Sequence, residues 1–242
     1  MDQWSGAEIL AVWERGAAQD WPRRGLILLS AWPPAAEVAD HTALTVGERD
    51  AWLFQLCGRL FGARMACTAE CPACAALLQF DLDAGDFSQP PAGGDDLFEV
   101  ALHERYRIRL RPLTSADLLA AGRVGGIAAM RRILLERAVC EVFVDGAAAS
   151  VAALPEEIIG ALGDQLAQRD GAELLLDLRC AACRHGWSQP FDILSFLWSE
   201  LARYAKRLLR EVHTLAWAYG WSEGDILAMS AVRRRVYLEW VQ

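Results

Sequence analysis

Apolar positions along this chain change their period several times, and each change marks an element. After Ser5, the residues Ile9, Leu10 and Trp13 fall at helical spacing, and Gly16 reads as the stop. A short apolar stretch from Leu26 to Leu29 runs up to the breaker Trp32-Pro33-Pro34. Thr45-Val46-Gly47-Glu48 has the form of a capping box, in which a Thr hydroxyl and a Glu carboxylate satisfy free amides at a helix start. The helix it opens carries Trp52, Leu53, Leu56, Leu60 and Phe61 at helical spacing. Residues 1–63 therefore read as a helical N-terminal section.

A period of two takes over across 64–112. Residues 64–69 lead into Cys71-Pro72-Ala73-Cys74, after which Leu78, Phe80 and Leu82 alternate with Gln79, Asp81 and Asp83 as in a half-buried strand. Beyond a loop at Pro90-Pro91-Ala92-Gly93-Gly94, Phe98 to Leu102 and Tyr106 to Leu110 alternate again about a turn at His103-Glu104-Arg105. Helical spacing returns over 113–170. Thr114-Ser115-Ala116-Asp117 is one start, Arg131 to Val139 form a second helix, and Pro155 opens a third with the stripe Ile158, Ile159, Leu162 and Leu166.

The last section, 171–242, begins with a strand from Leu174 to Leu178 that runs into Cys180-Ala181-Ala182-Cys183. A long helix over about 192–218 follows, apolar along one face at Leu194, Leu197, Leu201, Tyr204, Leu208, Val212 and Leu215. Gly220 ends it, and Ser222 and Ser230 cap two short helices. The predicted fold class is α+β. A small β unit of two knuckles is flanked by the helical N-terminal section, a helical insertion, and a C-terminal long helix with two short ones.

At 242 residues and 54% hydrophobic, the chain has ample material for a core, which excludes wholesale disorder. No apolar run approaches the ~18 residues a membrane-spanning helix needs. The start, Met1-Asp2-Gln3-Trp4, lacks the basic residues and apolar core of a signal peptide, so a cytoplasmic protein is expected. A net charge of −8 argues against a nucleic-acid coat, although local basic patches remain open.

Cysteine use sharpens the picture. The count of seven is odd, which suits a reduced compartment better than a disulfide framework, and four of the seven form two Cys-x-x-Cys pairs. A two-residue gap lets one tight turn present two thiolates together, and zinc takes four such ligands in a tetrahedron. Each pair follows a strand, as in a knuckle whose two hairpin tips share one ion. Cys71, Cys74, Cys180 and Cys183 are therefore the candidate ligands of one structural zinc. The pairs lie about 105 residues apart, so the intervening section is a large insertion. Ala75 and Arg184 stand where a knuckle prefers Gly, and Cys67 and His185 are near enough to substitute as ligands. The competing readings are vestigial turns with reduced thiols, or a redox dithiol; for the latter, neither pair opens a helix that would lower a thiol pKa. A site of four cysteines is closed, with no position for water or substrate.

No nucleotide-binding glycine motif, nucleophile elbow or His-Glu-x-x-His occurs, His41 and His103 lack evident partners, and His213, beside Glu211 on the long helix, reads as a surface or interhelix contact, so no enzyme is expected. Arg203, Lys206, Arg207 and Arg210 occupy the polar side of the long helix. They read as a solvated face or as a dock for an acidic protein surface. Nucleic acid is the weaker alternative, because no aromatic residues interleave them. Trp187, Trp198, Trp217, Trp221 and Trp240 crowd the last section, as core residues or interface anchors.

One stretch of that section resembles a known family. His213, Leu215-Ala216, Tyr219-Gly220-Trp221-Ser222-Glu223, Ile226-Leu227, Arg233-Arg234 and Tyr237-Leu238 are similar to a motif of small baseplate proteins in contractile-tailed phages and phage-tail-like injection systems. Arg111-Pro112-Leu113-Thr114 with Asp117-Leu118-Leu119, the helix through Ile133-Leu134-Leu135 to Cys140, and the strand into Cys180-x-x-Cys183 resemble the phage baseplate hub-assembly family in order. Together the likenesses cover roughly residues 105–240. They imply a structural component assembled in the cytoplasm onto a tail-like particle, with other baseplate, hub or spike subunits as partners. Tyr219, Trp221, Arg233, Arg234 and Arg235 would then be partner contacts. The same residues also suit plain helix-turn geometry, with Gly220 as stop and Ser222 as the next cap. A zinc-ribbon adaptor in a nucleic-acid or regulatory complex is the alternative function.

Overall fold

The computed structural model describes residues 4–36, 38–89, 97–169 and 174–241. The predicted α+β class holds: helices and short antiparallel hairpins alternate around two separate apolar cores, with a small third cluster at the C-terminus.

The main core is built from chain segments far apart in sequence. It holds α1 (Gly6–Ala17), α2 (Trp21–Ser30) and α4 (Val46–Phe61), after the short α3 (Pro33–Ala36), and the first two-thirds of the long α8 (Ile193–Tyr219). Ile9, Leu28, Leu29, Leu53, Leu56, Leu194, Leu197 and Leu201 are its buried centre. Each helix starts where side-chain oxygens can replace missing amide acceptors. Ser5 and Glu8 cap α1 reciprocally, Asp20 accepts from the Arg23 amide, and Thr45 and Glu48 form the predicted box. The stop read at Gly16 falls one residue before the end of α1 at Ala17. The glycine is required by close approach: a Cβ there would lie 2.3 Å from Cη2 of Trp198. The breaker read at Trp32-Pro33-Pro34 follows the end of α2 at Ser30, and the two prolines open α3, whose first turn needs no N–H from proline.

Two hairpins dock on this core. In the first, β1 (Arg64–Glu70) pairs with β2 (Leu77–Asp83), placing Met65 and Cys67 inward with Phe80 and Leu82 packed beside them. In the second, β7 (Leu174–Arg179) pairs with β8 (Gly186–Phe191), and Leu174 and Phe191 join the same core. The strand β8 escapes the sequence pattern because Pro190 interrupts it; a two-stranded sheet accepts proline, since each strand has a free edge.

Between the hairpins the chain makes an excursion with its own core. β3 (Phe98–Leu102), β4 (Tyr106–Leu110), β5 (Val139–Val144) and β6 (Ala147–Ala148) form one antiparallel sheet in that order, and α6 (Ile127–Ala138) and α7 (Glu156–Arg169) pack with it. Ile108, Leu110, Leu162 and Ala138 are its fully buried members. The reading of 113–170 as helical is thus corrected over 139–148. The β-branched run Val139-Cys140-Glu141-Val142-Phe143-Val144 leaves α6 directly as a strand and completes the sheet begun by β3 and β4. The structural insertion therefore starts with β3, and the Pro-Gly loop read at 90–94 lies outside the described residues.

A polar clasp ties the excursion back. The Val46 amide donates to Leu113 O, and the Ser115 amide to Leu44 O, alongside a β-bridge between Thr45 and Thr114. Next to it Asp117, at the start of α5 (Ser115–Ala121), accepts from Arg111 through both oxygens and from Arg137. Burial pushes its carboxyl up, but these two arginines and the Thr114 amide hold it far below the usual carboxylate range. No helix among the described residues is long and apolar enough to cross a membrane.

Candidate metal centre

The turns of both hairpins are built alike. In each, the first cysteine closes the strand end with two backbone bonds. The Cys71 amide donates to Ala76 O (3.0 Å) and Cys71 O accepts from the Ala75 amide (2.9 Å); the Cys180 amide donates to His185 O and Cys180 O accepts from the Arg184 amide (both 2.9 Å). The residue after the second cysteine must then turn left-handed. Ala75 sits at φ 56° and Arg184 at φ 62°, so both take the conformation that favours glycine.

Core docking of the two hairpins brings their tips together. The ligand atoms of Cys71, Cys74, Cys180 and Cys183 all lie within 4.8 Å of one another. The shortest contacts cross between hairpins: Cys71 Sγ to Cys183 Sγ at 3.7 Å, and Cys74 Sγ to Cys180 Sγ at 3.6 Å. First cysteine meets second cysteine both times, which is the pairing a local two-fold axis between the hairpins produces. A tetrahedral ion with Zn–S bonds of ~2.3 Å needs S···S edges of about 3.8 Å, so the spacing and donor chemistry fit one metal ion. Cys71 and Cys180 are buried beneath the tips, while Cys74 and Cys183 face solvent.

Backbone amides prepare the sulfurs for negative charge. The N–H of Cys183 outweighs burial at Cys180 and, with that of Ala182 and the neighbouring thiols, brings it down to about 6. At Cys74 the Ala76 N–H acts to lower the value, yet the thiols of Cys183, Cys180 and Cys71 push it up to about 12. Four thiols this close cannot all carry charge by themselves, and a bound cation would displace their protons.

Neither substitute ligand joins this cluster. Cys67 is buried in the main core, where its thiol donates to Met65 O. The His185 ring lies over Trp187, with centroids 6.2 Å apart, and the residue serves the turn through its backbone carbonyl. Cys57, fully buried, is pushed up to about 12 by burial and is a packing residue.

The five predicted partner contacts fall at the C-terminus, where α9 (Glu223–Ala228) and α10 (Ala231–Val241) fold back on the last turns of α8 around Val212, Leu215 and Ile226. Trp221 stacks on Tyr219 (4.4 Å), and Tyr237 meets both rings edge-on and Trp240 beyond them. Arg233 is exposed and lies over the Tyr237 ring, and Arg235 is exposed. Arg234 is turned inward: only 4% exposed, it pairs with Glu211 (3.0 Å) and donates to Met229 O. Successive helical residues point ~100° apart, so a run of three arginines cannot share one face, and the middle one ties α10 to α8. The sequence reading of Arg234 as a partner contact is corrected accordingly.

Compared with known proteins, the chain matches no family model, and neither a curated protein nor a solved structure matches it.

Proposed function

We propose that this chain is a non-enzymatic structural component whose four cysteines hold one zinc ion, and that it belongs to the baseplate of a contractile tail or tail-like injection system. The observation that carries the structural part is the closed thiol set. All four positions of a tetrahedral ion are filled by Cys71, Cys74, Cys180 and Cys183, which leaves none for water or substrate. The ion would link hairpins that lie on either side of the excursion, so its effect is on the shape of the molecule. Zinc is the metal that four thiolates at this spacing favour in a reducing compartment.

The baseplate assignment rests on the likeness of the C-terminal motif. Tyr219, Trp221, Arg233 and Arg235 form a surface of rings and cations suited to a neighbouring subunit, since aromatic and arginine side chains are the commonest interface anchors. The test has two arms. Metal analysis of wild type and of Cys71→Ser/Cys180→Ser should give about one zinc per chain and none, respectively; a metal-free wild type prepared without chelator overturns the zinc. Co-expression with sheath, tube and spike subunits of a contractile particle should recover the chain in the particle. Absence there, together with binding to nucleic acid that falls steeply with salt, would favour the zinc-ribbon adaptor instead.

A further inference from the structure

The long helix α8 has a side that neither core uses. Its inner side is buried along nearly its whole length, from Leu194 to Leu215, and α9 and α10 close over the last turns through Val212, Leu215 and the Glu211–Arg234 pair. On the opposite side Lys206, Arg210, His213 and Trp217 follow at intervals of four, three and four residues, and all four are exposed. Spacing of that kind sets them on one stripe about 17 Å long. Trp217 is 87% exposed, so nearly the full face of the largest apolar side chain stands in water. Neighbouring cations on this helix are internally balanced: Arg203 pairs with Glu200, and Arg207 reaches Glu211 while lying over Tyr204. Lys206 and Arg210 have no acidic partner among the described residues.

We propose that this outer stripe of α8 is a second docking surface, and that its occupant is an acidic helical segment of another protein carrying an apolar side chain for Trp217. The inference concerns a different face from Tyr219 and Trp221 and does not depend on the baseplate assignment. Charge complementarity selects the occupant. The stripe offers two unbalanced cations and one ring over three turns, which matches two carboxylates and one apolar contact on a partner helix. A polyanion such as nucleic acid would extend beyond the stripe onto a chain of net charge −8, where it is repelled. A stacking platform for bases also needs successive rings, and only Trp217 stands here.

The experiment uses the full, metal-loaded chain and a labelled 20-residue peptide of Glu, Ala and Leu with one Leu per turn, followed by fluorescence anisotropy. Binding should weaken at least ~10-fold between 50 and 300 mM salt, as screening shortens the reach of exposed charges. Lys206→Glu/Arg210→Glu should weaken it at least ~10-fold. Trp217→Ala should do likewise, and a Glu/Ala peptide without Leu should bind wild type as weakly as the Leu peptide binds that variant. Val232→Asp, on exposed α10 surface, should leave binding unchanged. These substituted positions are all exposed, and circular dichroism verifies that each variant is folded. Equal binding by the charge-reversed or the Trp217→Ala variant overturns the proposal. Tighter binding of a dT20 oligonucleotide or of phosphatidylserine vesicles overturns it too, as does self-association of the chain that the charge reversal abolishes.

Discussion

Removing the metal, or the Cys180 thiol that would bind it, should loosen this protein without unfolding it, and the structure fixes the scale. A link between Cys71 and Cys180 closes a loop of 109 residues, counted along the sequence. Chain-entropy arguments value closure of a loop that long at about 5 kcal/mol. In a protein of this size each kcal/mol moves the melting temperature by about 2–4 °C, so the expected drop is about 10–20 °C. A zinc finger would unfold outright at that point, because it has no other core. Here Met65, Cys67 and Ile193 stay buried and Phe80, Leu82, Leu174 and Phe191 stay packed against the main core whether or not the tips are tied. The assay is thermal and urea unfolding of wild type with and without a chelator, set beside Cys180→Ser, with hydrogen exchange as the local readout. The amides of Ala75 and Arg184, which close the two tips, should lose protection, while those of Leu53 and Leu197 keep theirs. An unchanged melting temperature after metal removal would refute the reasoning. So would complete loss of structure at 25 °C, which would mean that the core depends on the ion.

Four further outcomes follow from named contacts. Ala75→Gly and Arg184→Gly should each stabilise the metal-bound protein by about 0.5–1 kcal/mol, because relief of left-handed strain (~1–2 kcal/mol) exceeds the extra entropy of glycine; a loss in urea midpoint would contradict this. Gly16→Ala should cost about 2 kcal/mol or more despite better helix propensity, since the added methyl meets the rigid Trp198 ring, and Trp198→Leu in the same chain should recover part of the loss. Asp50, half-buried on α4 beside the buried Arg49, is pushed up to about 6, mainly by desolvation. A raised carboxyl means that the folded state holds its proton more tightly, so this group's contribution to stability should fall as pH rises from about 4 to about 6, and Asp50→Asn should lose that slope whatever its absolute stability. Asp117 has the opposite sign: its contribution is full above about pH 4 and disappears as acid approaches its depressed folded value. Asp117→Asn should therefore flatten acid unfolding and cost about 2–3 kcal/mol at pH 7, measured by urea titration.

Local chemistry made much of this fold legible. The caps at Ser5, Thr45, Thr114 and Ser222, the alternation in β1 to β4, and the stripe of α8 all act over a few residues, and each lies where the sequence pattern puts it. The four-cysteine set was legible for the same reason, as two turn motifs, although nothing in the spacing could bring them together. Misreadings arise where tertiary contact decides. Gly16 stands beside the end of α1 as read, but its second demand, room for the Trp198 ring 182 residues away in sequence, has no local signal. The strand β5 continues an apolar run out of α6, and only pairing with β4 separates the two. Arg234 reads as one of three surface cations, but the turn that sets α10 against α8 gives it Glu211.

Absence of glycine at Ala75 and Arg184 gave the strongest sequence argument against a metal knuckle, and the backbone turns it around. Both residues hold left-handed φ at matching places in two hairpins offset by 109 residues, the same offset that relates Cys71 to Cys180 and Cys74 to Cys183. Strained backbone persists only where its surroundings over-determine it. The two backbone bonds at each tip offset part of that strain of ~1–2 kcal/mol, and a decayed turn would be free to lose them at one tip or the other. Here the strain recurs, the two amide bonds at each tip recur with it, and the four thiols converge from both sides. Such repetition is what two turns constrained by a shared ion should display, and it weighs against reading the cysteines as relics.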